Sequence, residues 1–218
     1  MKRVIRSLSL LLLSSVLLLP SVAWAQEGSD EANYTPPLER RGGFTMGLSY
    51  GMGMGSFVGY PNEVEKMNNP EYRVATGTTL SSGFSIWLGG ALRDWFTFGA
   101  GMFSTGGGSD DATGGSGGFG VHIEAFPLYP VGGLWRDLAL ATEFGAGSGM
   151  LDNKAGGEDA DGGSMSLVSA GLIFEPWQFW HMSHGPSLMV RHQFSDSMTA
   201  SAVLLGWRMA FYWTQKKG

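Results

Sequence analysis

Ionised side chains are rare in this 218-residue sequence, and five titratable residues fall within segments composed mostly of small and apolar residues. They are one histidine, two acids and two arginines: His122, Glu124, Glu143, Arg191 and Arg208. An ion removed from water needs an opposite partner, because an unpaired buried charge is strongly destabilising. Such a set can line and gate a narrow passage, or it can form a paired structural plug. The choice depends on the elements that carry these residues.

A second candidate chemistry is acyl transfer by a histidine and a serine. His192 and Ser195 are close in sequence, and a nucleophilic hydroxyl requires a base within hydrogen-bonding distance. A separation of three residues places the two side chains on opposite faces of a regular strand. The spacing therefore favours an interfacial histidine, and no catalytic residue is predicted.

Metal binding has weak support in the sequence. His181 and His184 stand three residues apart but have no third ligand nearby. A glycine-flanked group of acids lacks the ordered ligand spacing of a calcium loop; it comprises Asp152, Glu158, Asp159 and Asp161. With no cysteine in the chain, thiolate metal sites, disulfides and a lipid-bearing cysteine are excluded. No metal or cofactor is predicted.

The composition argues against an ordinary cytosolic enzyme. Only 15% of the residues are charged, 43% are hydrophobic and 35 are glycine, whereas soluble domains have about 25% charged residues and roughly 7% glycine. The net charge of −5 without a basic tract excludes nucleic acid as the expected partner.

The amino terminus has the three parts of a secretory signal peptide. Lys2, Arg3 and Arg6 precede an apolar run over 8–19, and a small-x-small cleavage site occupies 23–25. We therefore predict a signal peptide over 1–25. A flexible periplasmic tail is expected over 26–41, because that segment is polar and contains two consecutive prolines.

Alternation with period two indicates β-strands in the rest of the chain. Phe44, Met46, Leu48 and Tyr50 share one parity, while glycine, serine and threonine occupy the other. The pattern occurs in eight segments: 43–51, 80–88, 96–102, 119–125, 138–145, 168–174, 188–194 and 203–213. Several reach about 10 residues, the length at which a tilted strand crosses a membrane.

The connections predict one end with long loops and one with short turns. Long connections are expected over 53–78, 105–118 and 148–163, and a short one over 91–94, although the last connection, 195–198, is also short. In outer-membrane barrels the long loops are extracellular, and an even strand number leaves both chain ends in the periplasm.

A soluble eight-stranded barrel is the main competing architecture. Its polar face would carry many lysines and glutamates, whereas here that face is small. We therefore expect the apolar face to meet lipid, with an aromatic girdle near the strand ends comprising Tyr129, Trp135, Trp177, Trp180 and Trp213. The five titratable residues then lie in the lumen, where a plug is favoured because eight strands leave room only for side chains.

With these features, residues 42–214 resemble small outer-membrane β-barrel proteins of the OmpA, OmpX and OmpW type. The fold class implied is all-β, an eight-stranded antiparallel up-and-down transmembrane barrel followed by a short tail over 215–218. The resemblance also implies contact with outer-membrane lipid and lipopolysaccharide. Insertion by the barrel-assembly machinery would use a signal in the last strand, with Gly206, Met209, Phe211 and Trp213 at its positions.

The expected function is a structural or surface-interaction role in the Gram-negative cell envelope. The OmpW resemblance adds a small ligand in the glycine-lined part of the lumen beside Trp87. A narrow pore is the alternative, and a lipid A-modifying enzyme ranks third. The predicted outer loops hold ten acids against three basic residues, which favours cations or a basic protein partner.

Overall fold

The computed structural model describes residues 40–213. The predicted signal peptide, residues 26–39 of the predicted tail and the carboxyl-terminal residues from 214 onward lie outside that range. None of the helices in the described range has the length and apolarity of a membrane-spanning helix.

Ten strands and three short 3-10 helices make up the described chain. The strands are β1 Gly43–Gly59, β2 Val74–Arg93, β3 Phe96–Gly108, β4 Ala112–Ala125, β5 Leu138–Asn153, β6 Ala160–Asp161, β7 Met165–Phe174, β8 Trp177–Phe179, β9 Met182–Phe194 and β10 Met198–Trp213. The helices are Pro70–Tyr72, Tyr129–Val131 and Gly133–Asp137.

Eight of these strands close into a barrel in which every neighbouring pair is antiparallel. The order is β1, β2, β3, β4, β5, β7, β9 and β10, and β10 returns to pair with β1. Leu48 lies opposite Met209 across that closing pair. The predicted eight-stranded up-and-down barrel is confirmed.

The two faces of the barrel alternate as the sequence predicts. Phe44, Leu88 and Phe119 are among the exposed side chains of the outer face, whereas Thr45 and Trp87 are buried on the inner face. On β10 the outward positions from Val203 to Trp213 span about 33 Å along the strand at ~3.3 Å per residue. A strand tilt of about 35–45° makes that band roughly 25 Å tall, the height of a transmembrane apolar belt.

The predicted long connection over 105–118 is wrong. Strand β3 continues to Gly108 and β4 begins at Ala112, which leaves only residues 109–111 between them. Gly114 in this region permits close packing, because a Cβ there would lie 2.6 Å from Cγ of the buried Phe57 ring. Strands β1 and β2 likewise extend beyond their predicted ends and shorten the first loop to residues 60–73.

The two ends of the barrel carry different connections. The near rim contains the start of the described chain, the connections 94–95, 126–137 and 175–181, and the end of β10. The far rim contains the connections 60–73, 109–111, 154–164 and 195–197.

Candidate functional site

The five titratable residues predicted for the lumen come together in one cluster of hydrogen bonds and ion pairs. His122 and Glu124 project from β4, Glu143 from β5, Arg191 from β9 and Arg208 from β10. All five are buried. The antiparallel register places Glu143 directly opposite His122 and brings Arg191 opposite Ser169 of β7.

The histidine lies between the two acids. Its Nε2 is 2.9 Å from Oε1 of Glu124, and its Nδ1 is 3.4 Å from Oε1 of Glu143. Arg191 donates to Oε2 of Glu143 at 2.9 Å, and Arg208 donates from Nε to Oε1 of Glu124 at 2.9 Å. Each acid therefore faces an arginine on one side and the imidazole on the other.

Two aromatic side chains fill the lumen space that the glycines leave. Trp87 stacks on His122 with 4.6 Å between ring centroids, and the Arg208 guanidinium lies 5.7 Å from its ring centre. Phe103 packs beside Arg191 at 5.8 Å. A Cβ on Gly47 would come within 2.2 Å of the Trp87 ring, so this indole packs directly against the first strand at that glycine.

The charged cluster continues toward the near rim through residues that sequence reasoning missed. Arg208 also donates to Glu175, which directly follows β7 and is fully buried. The Tyr212 hydroxyl donates to Oε1 of the same carboxylate at 3.1 Å. Glu175 thus joins the lumen cluster to the end of the barrel.

Arg41 completes the network from the opposite side of Glu175. Its Nε donates to Oε1 of Glu175 at 2.7 Å, and one terminal nitrogen donates to Oδ1 of Asp137 at 3.0 Å. The guanidinium also lies 3.7 Å from the centre of the Phe126 ring. Burial alone would lower the pKa of Arg41, but the charges of Glu175 and Asp137 and the hydrogen bond to Glu175 act together against it, and the pKa lies above its usual value.

Arg40 and Arg41, which the sequence assigned to a flexible tail, are held at the near rim by hydrogen bonds. Arg40 donates to Oδ1 of Asp137 at 2.6 Å, and the backbone N–H groups of both arginines donate to Oδ1 of Asp94. The sequence contained a signal for these acidic partners of Arg40 and Arg41. Asp94, Asp137 and Glu175 each stand where a strand meets a near-rim connection.

Tyr129 also belongs to this near-rim network. The sequence predicted it in the outer aromatic girdle, but its hydroxyl donates to Oδ2 of Asp94 at 3.0 Å, and its ring packs against the buried cluster around Phe126. Burial and this hydrogen bond raise the pKa of Tyr129. That prediction was wrong because the connection folds inward to cover the barrel end.

The far end of the lumen is closed by apolar side chains. A buried cluster there includes Phe57 and Val74, and its remaining members are Ala112, Leu151, Ala160, Met165, Met198 and Ala200. Short strand β6 contributes Ala160 by pairing with β5. The described lumen is thus occupied by apolar side chains at one end and by the ionic network at the other.

The outer surface of the barrel is apolar, the reverse of a soluble protein. Large apolar residues around the whole circumference are exposed, and tryptophans at the near rim are exposed with them: Trp95, Trp135, Trp177, Trp180 and Trp213. An apolar exterior of this height around a charged and filled interior fits a lipid environment. The chain has the fold of a small outer-membrane β-barrel protein.

Comparison with solved structures finds similar chains at low sequence identity. The chain is similar to the crystal structure of Ail, the attachment invasion locus protein of Yersinia pestis, at 13% identity and a TM-score of 0.49, over 77% of this chain and 98% of that chain. A second structure of Ail, in complex with the heparin analogue sucrose octasulfate, aligns at 14% identity and a TM-score of 0.45, over 78% and 99% of the two chains. Neisserial surface protein A aligns at 8% identity and a TM-score of 0.43, over 76% and 97%. No family model and no curated protein matches the chain.

The far-rim loops of the outer-membrane barrel are bonded to one another. Tyr60 donates its N–H to the carbonyl of Ser197, and the N–H of Asp161 donates to the carbonyl of Tyr60. Lys66 bridges two loops through Glu63 and Glu158, at 3.0 and 2.6 Å. Hydrogen bonds to Glu158 and Glu63 raise the pKa of Lys66.

All ten acids predicted for the outer loops are exposed on this rim or at the strand ends beside it. They are Glu63, Glu65, Glu71, Asp110, Asp111, Asp152, Glu158, Asp159, Asp161 and Asp196. Among residues 40–213 no group of three acids or histidines is arranged to hold a metal ion. The rim is a strongly acidic surface whose loops are hydrogen-bonded to one another.

The residues of the predicted assembly signal lie on β10, whose partners are β1 and β9. Met209, Phe211 and Trp213 have the outward parity. Gly206 faces inward, where a Cβ would meet the carbonyl oxygen of Tyr50 at 2.2 Å. Recognition of these residues by the assembly machinery stays a prediction.

His192 lies on the outer face near the far rim. Ser195 does not contact it and instead lies 3.3 Å from the hydroxyl of Ser197. The hydroxyl of Ser201, directly opposite on β10, is 2.8 Å from Nδ1 of His192. The three-residue connection sets the register of the two strands, in which Thr199 pairs with Phe194. Counting two residues farther along each strand then pairs Ser201 with His192.

Proposed function

We propose that this protein is a closed barrel of the bacterial outer membrane that acts through its far-rim surface. The observation that carries the proposal is the burial of the side chains at both ends of the lumen. The ionic network runs from Arg191 to Arg41, and the cluster around Phe57 covers the other end. A lumen packed in this way favours the plug over the narrow pore and over a ligand held beside Trp87.

The network supports a structural role because each buried ion has an opposite partner. Breaking one pair leaves a charge in a dry environment, which is strongly destabilising. We therefore expect Arg191→Ala and Arg208→Ala to lose resistance to heat-induced unfolding, as seen by electrophoretic mobility. Neither variant should change single-channel conductance; a conductance change with unaltered heat resistance would indicate a gate.

The proposed orientation has the near rim in the periplasm and the far rim at the cell surface. An even number of strands puts both chain ends on one side, and barrels of this type keep them in the periplasm. Because the chain has no cysteine, single-cysteine labelling is direct. An impermeant maleimide should label Asp110→Cys in intact cells and should label Arg93→Cys only after permeabilisation; the reverse pattern contradicts the orientation.

The proposed partner of the far rim is a basic protein surface. Ten exposed acids on cross-bonded loops produce a negative potential, and complementary charge increases the association rate. Binding of a polylysine peptide to the folded barrel in micelles should weaken with added salt and with Asp110→Asn plus Asp111→Asn. Arg93→Ala at the opposite rim is the matched control. Equal binding by all variants would contradict the assignment.

A further inference from the structure

The outer face carries a histidine–serine pair that the closed-barrel function does not use. His192 on β9 and Ser201 on β10 are direct cross-strand partners, with 2.8 Å between Nδ1 and Oγ. Both project away from the lumen, because the next residues of the same strands, Arg191 and Ala202, are buried inside. A hydroxyl bonded to an imidazole is the arrangement that activates a serine nucleophile.

The pair lies at the fringe of the apolar belt. The neighbouring outward row toward the near rim is Val190, Val203 and Met54, which are joined in register and exposed. Ser201 is two residues beyond Val203, about 5 Å farther along the barrel axis for a tilted strand. The carboxylic esters of membrane lipids lie at this level, just outside the hydrocarbon core.

Further hydroxyl groups surround Ser201. Ser56 is its direct partner on β1, and Thr78 on β2 is the partner of Ser56. Directly opposed side chains have Cβ atoms about 5 Å apart. A hydroxyl at that distance can donate to an oxyanion formed at Ser201, as side-chain donors do in acyl-transfer enzymes. The Phe194 ring stacks on the imidazole at 5.4 Å and restricts its plane.

We propose that His192 and Ser201 hydrolyse a carboxylic ester of a membrane lipid. Ser201 Oγ attacks the ester carbonyl carbon while its proton passes to Nδ1 of His192. The bond to the alcohol oxygen then breaks, and that oxygen takes the proton from His192, which leaves an acyl-serine. Water next adds to the acyl carbon and gives a proton to His192; Oγ departs and recovers that proton. The sum is ester plus water giving fatty acid plus alcohol.

The test is covalent labelling of the full chain, folded in detergent micelles, with a fluorophosphonate probe. Wild type should be labelled once, at Ser201 by peptide mass mapping, and Ser201→Ala should not be labelled. His192→Gln should slow labelling about 100-fold or more, the usual effect of losing a general base. Ser195→Ala is the control, because it removes a nearby hydroxyl that does not contact His192, and it should label like wild type. Each variant is first shown to be folded by its heat-dependent gel shift.

Release of fatty acid identifies the source of the ester. One sample contains phosphatidylethanolamine and phosphatidylglycerol vesicles, and the other contains vesicles with added lipopolysaccharide. Fatty acid released from either sample by wild type but not by Ser201→Ala supports the proposal. The sample from which it is released identifies the class of lipid substrate. An unlabelled wild type, equal labelling of Ser201→Ala, or no release from either sample overturns it. The closed lumen is tested separately by conductance, so the two proposals can fail independently.

Discussion

Arg41 and Glu175 stand 134 positions apart in sequence and meet as a fully buried ion pair, with 2.7 Å between Nε and Oε1. The pair fastens the segment before the first strand to the connection after β7. Glu175 is shared with Arg208, so the same carboxylate also belongs to the lumen cluster. The end of the barrel and its charged interior are therefore one network.

Removing Arg41 should destabilise the barrel more than removing an arginine exposed on the same rim. Arg41→Ala leaves Glu175 and Asp137 short of a cation in a buried site, and breaking such a pair costs about 3–5 kcal/mol. Denaturant unfolding in lipid vesicles, followed by tryptophan fluorescence, measures this loss. Arg93→Ala should stay within about 0.5 kcal/mol of wild type. Similar stability of both variants would show that the buried ion pairs of Arg41 do not stabilise the barrel end.

The effects of Glu143 and Arg191 on the free energy of unfolding should depend strongly on each other. Glu143→Gln and Arg191→Met each leave a buried charge without its partner, whereas the double variant removes both charges. The double variant should therefore lose less stability than the two single losses added together, by about 0.5–3 kcal/mol. Unfolding of the four proteins under one condition gives this coupling energy. Strict additivity would mean that the 2.9 Å contact contributes nothing.

The Gly47 position should not accept even a methyl group. A Cβ there would lie 2.2 Å from the Trp87 ring, which stacks on His122 and lies beside the Arg208 guanidinium. Gly47→Ala should destabilise the barrel by about 1–3 kcal/mol, the usual cost of overpacking. Gly115→Ala is the control in another strand, because no atom lies within 4 Å of its added Cβ. Equal stability of both variants would indicate that Trp87 moves freely.

The Tyr129–Asp94 hydrogen bond should give stability a pH dependence at alkaline pH. The pKa of Tyr129 is raised in the folded protein. Its contribution, about 1 kcal/mol for a hydrogen bond, is therefore present below the ordinary tyrosine pKa of about 10 and is lost as the pH rises through the folded-state pKa. The stability difference between wild type and Tyr129→Phe should be constant from pH 7 to about 10 and should close at higher pH. A difference that grows above pH 10 would contradict this assignment.

The sequence predicted the barrel and its charged lumen because both depend on local alternation. The parity that puts Phe44 outside is the same rule that puts His122 and Arg208 inside, so five lumen residues could be identified without knowing the strand partners. The parity also separated His192 from Ser195 correctly.

Features that depend on register and closure could not be read from local pattern alone. Arg41 meets Glu175 only because the barrel closes, and Ser201 reaches His192 only across a hairpin. The glycines over 105–118 resembled a loop, whereas Gly107 and Gly114 leave room for Phe57, which lies on β1. Tyr129 resembled an interfacial anchor because the fold of its connection was unknown.

Single-channel recording of the folded wild-type protein in a planar bilayer tests the closed lumen most directly. Because the apolar cluster around Phe57 and the network from Arg191 to Arg41 fill the described lumen, we predict no defined open level. Recordings should show only baseline current, with insertion verified by protein recovered from the membrane. Reproducible openings of one discrete conductance, lost when the protein is heat-unfolded, would contradict the closed barrel and support a pore.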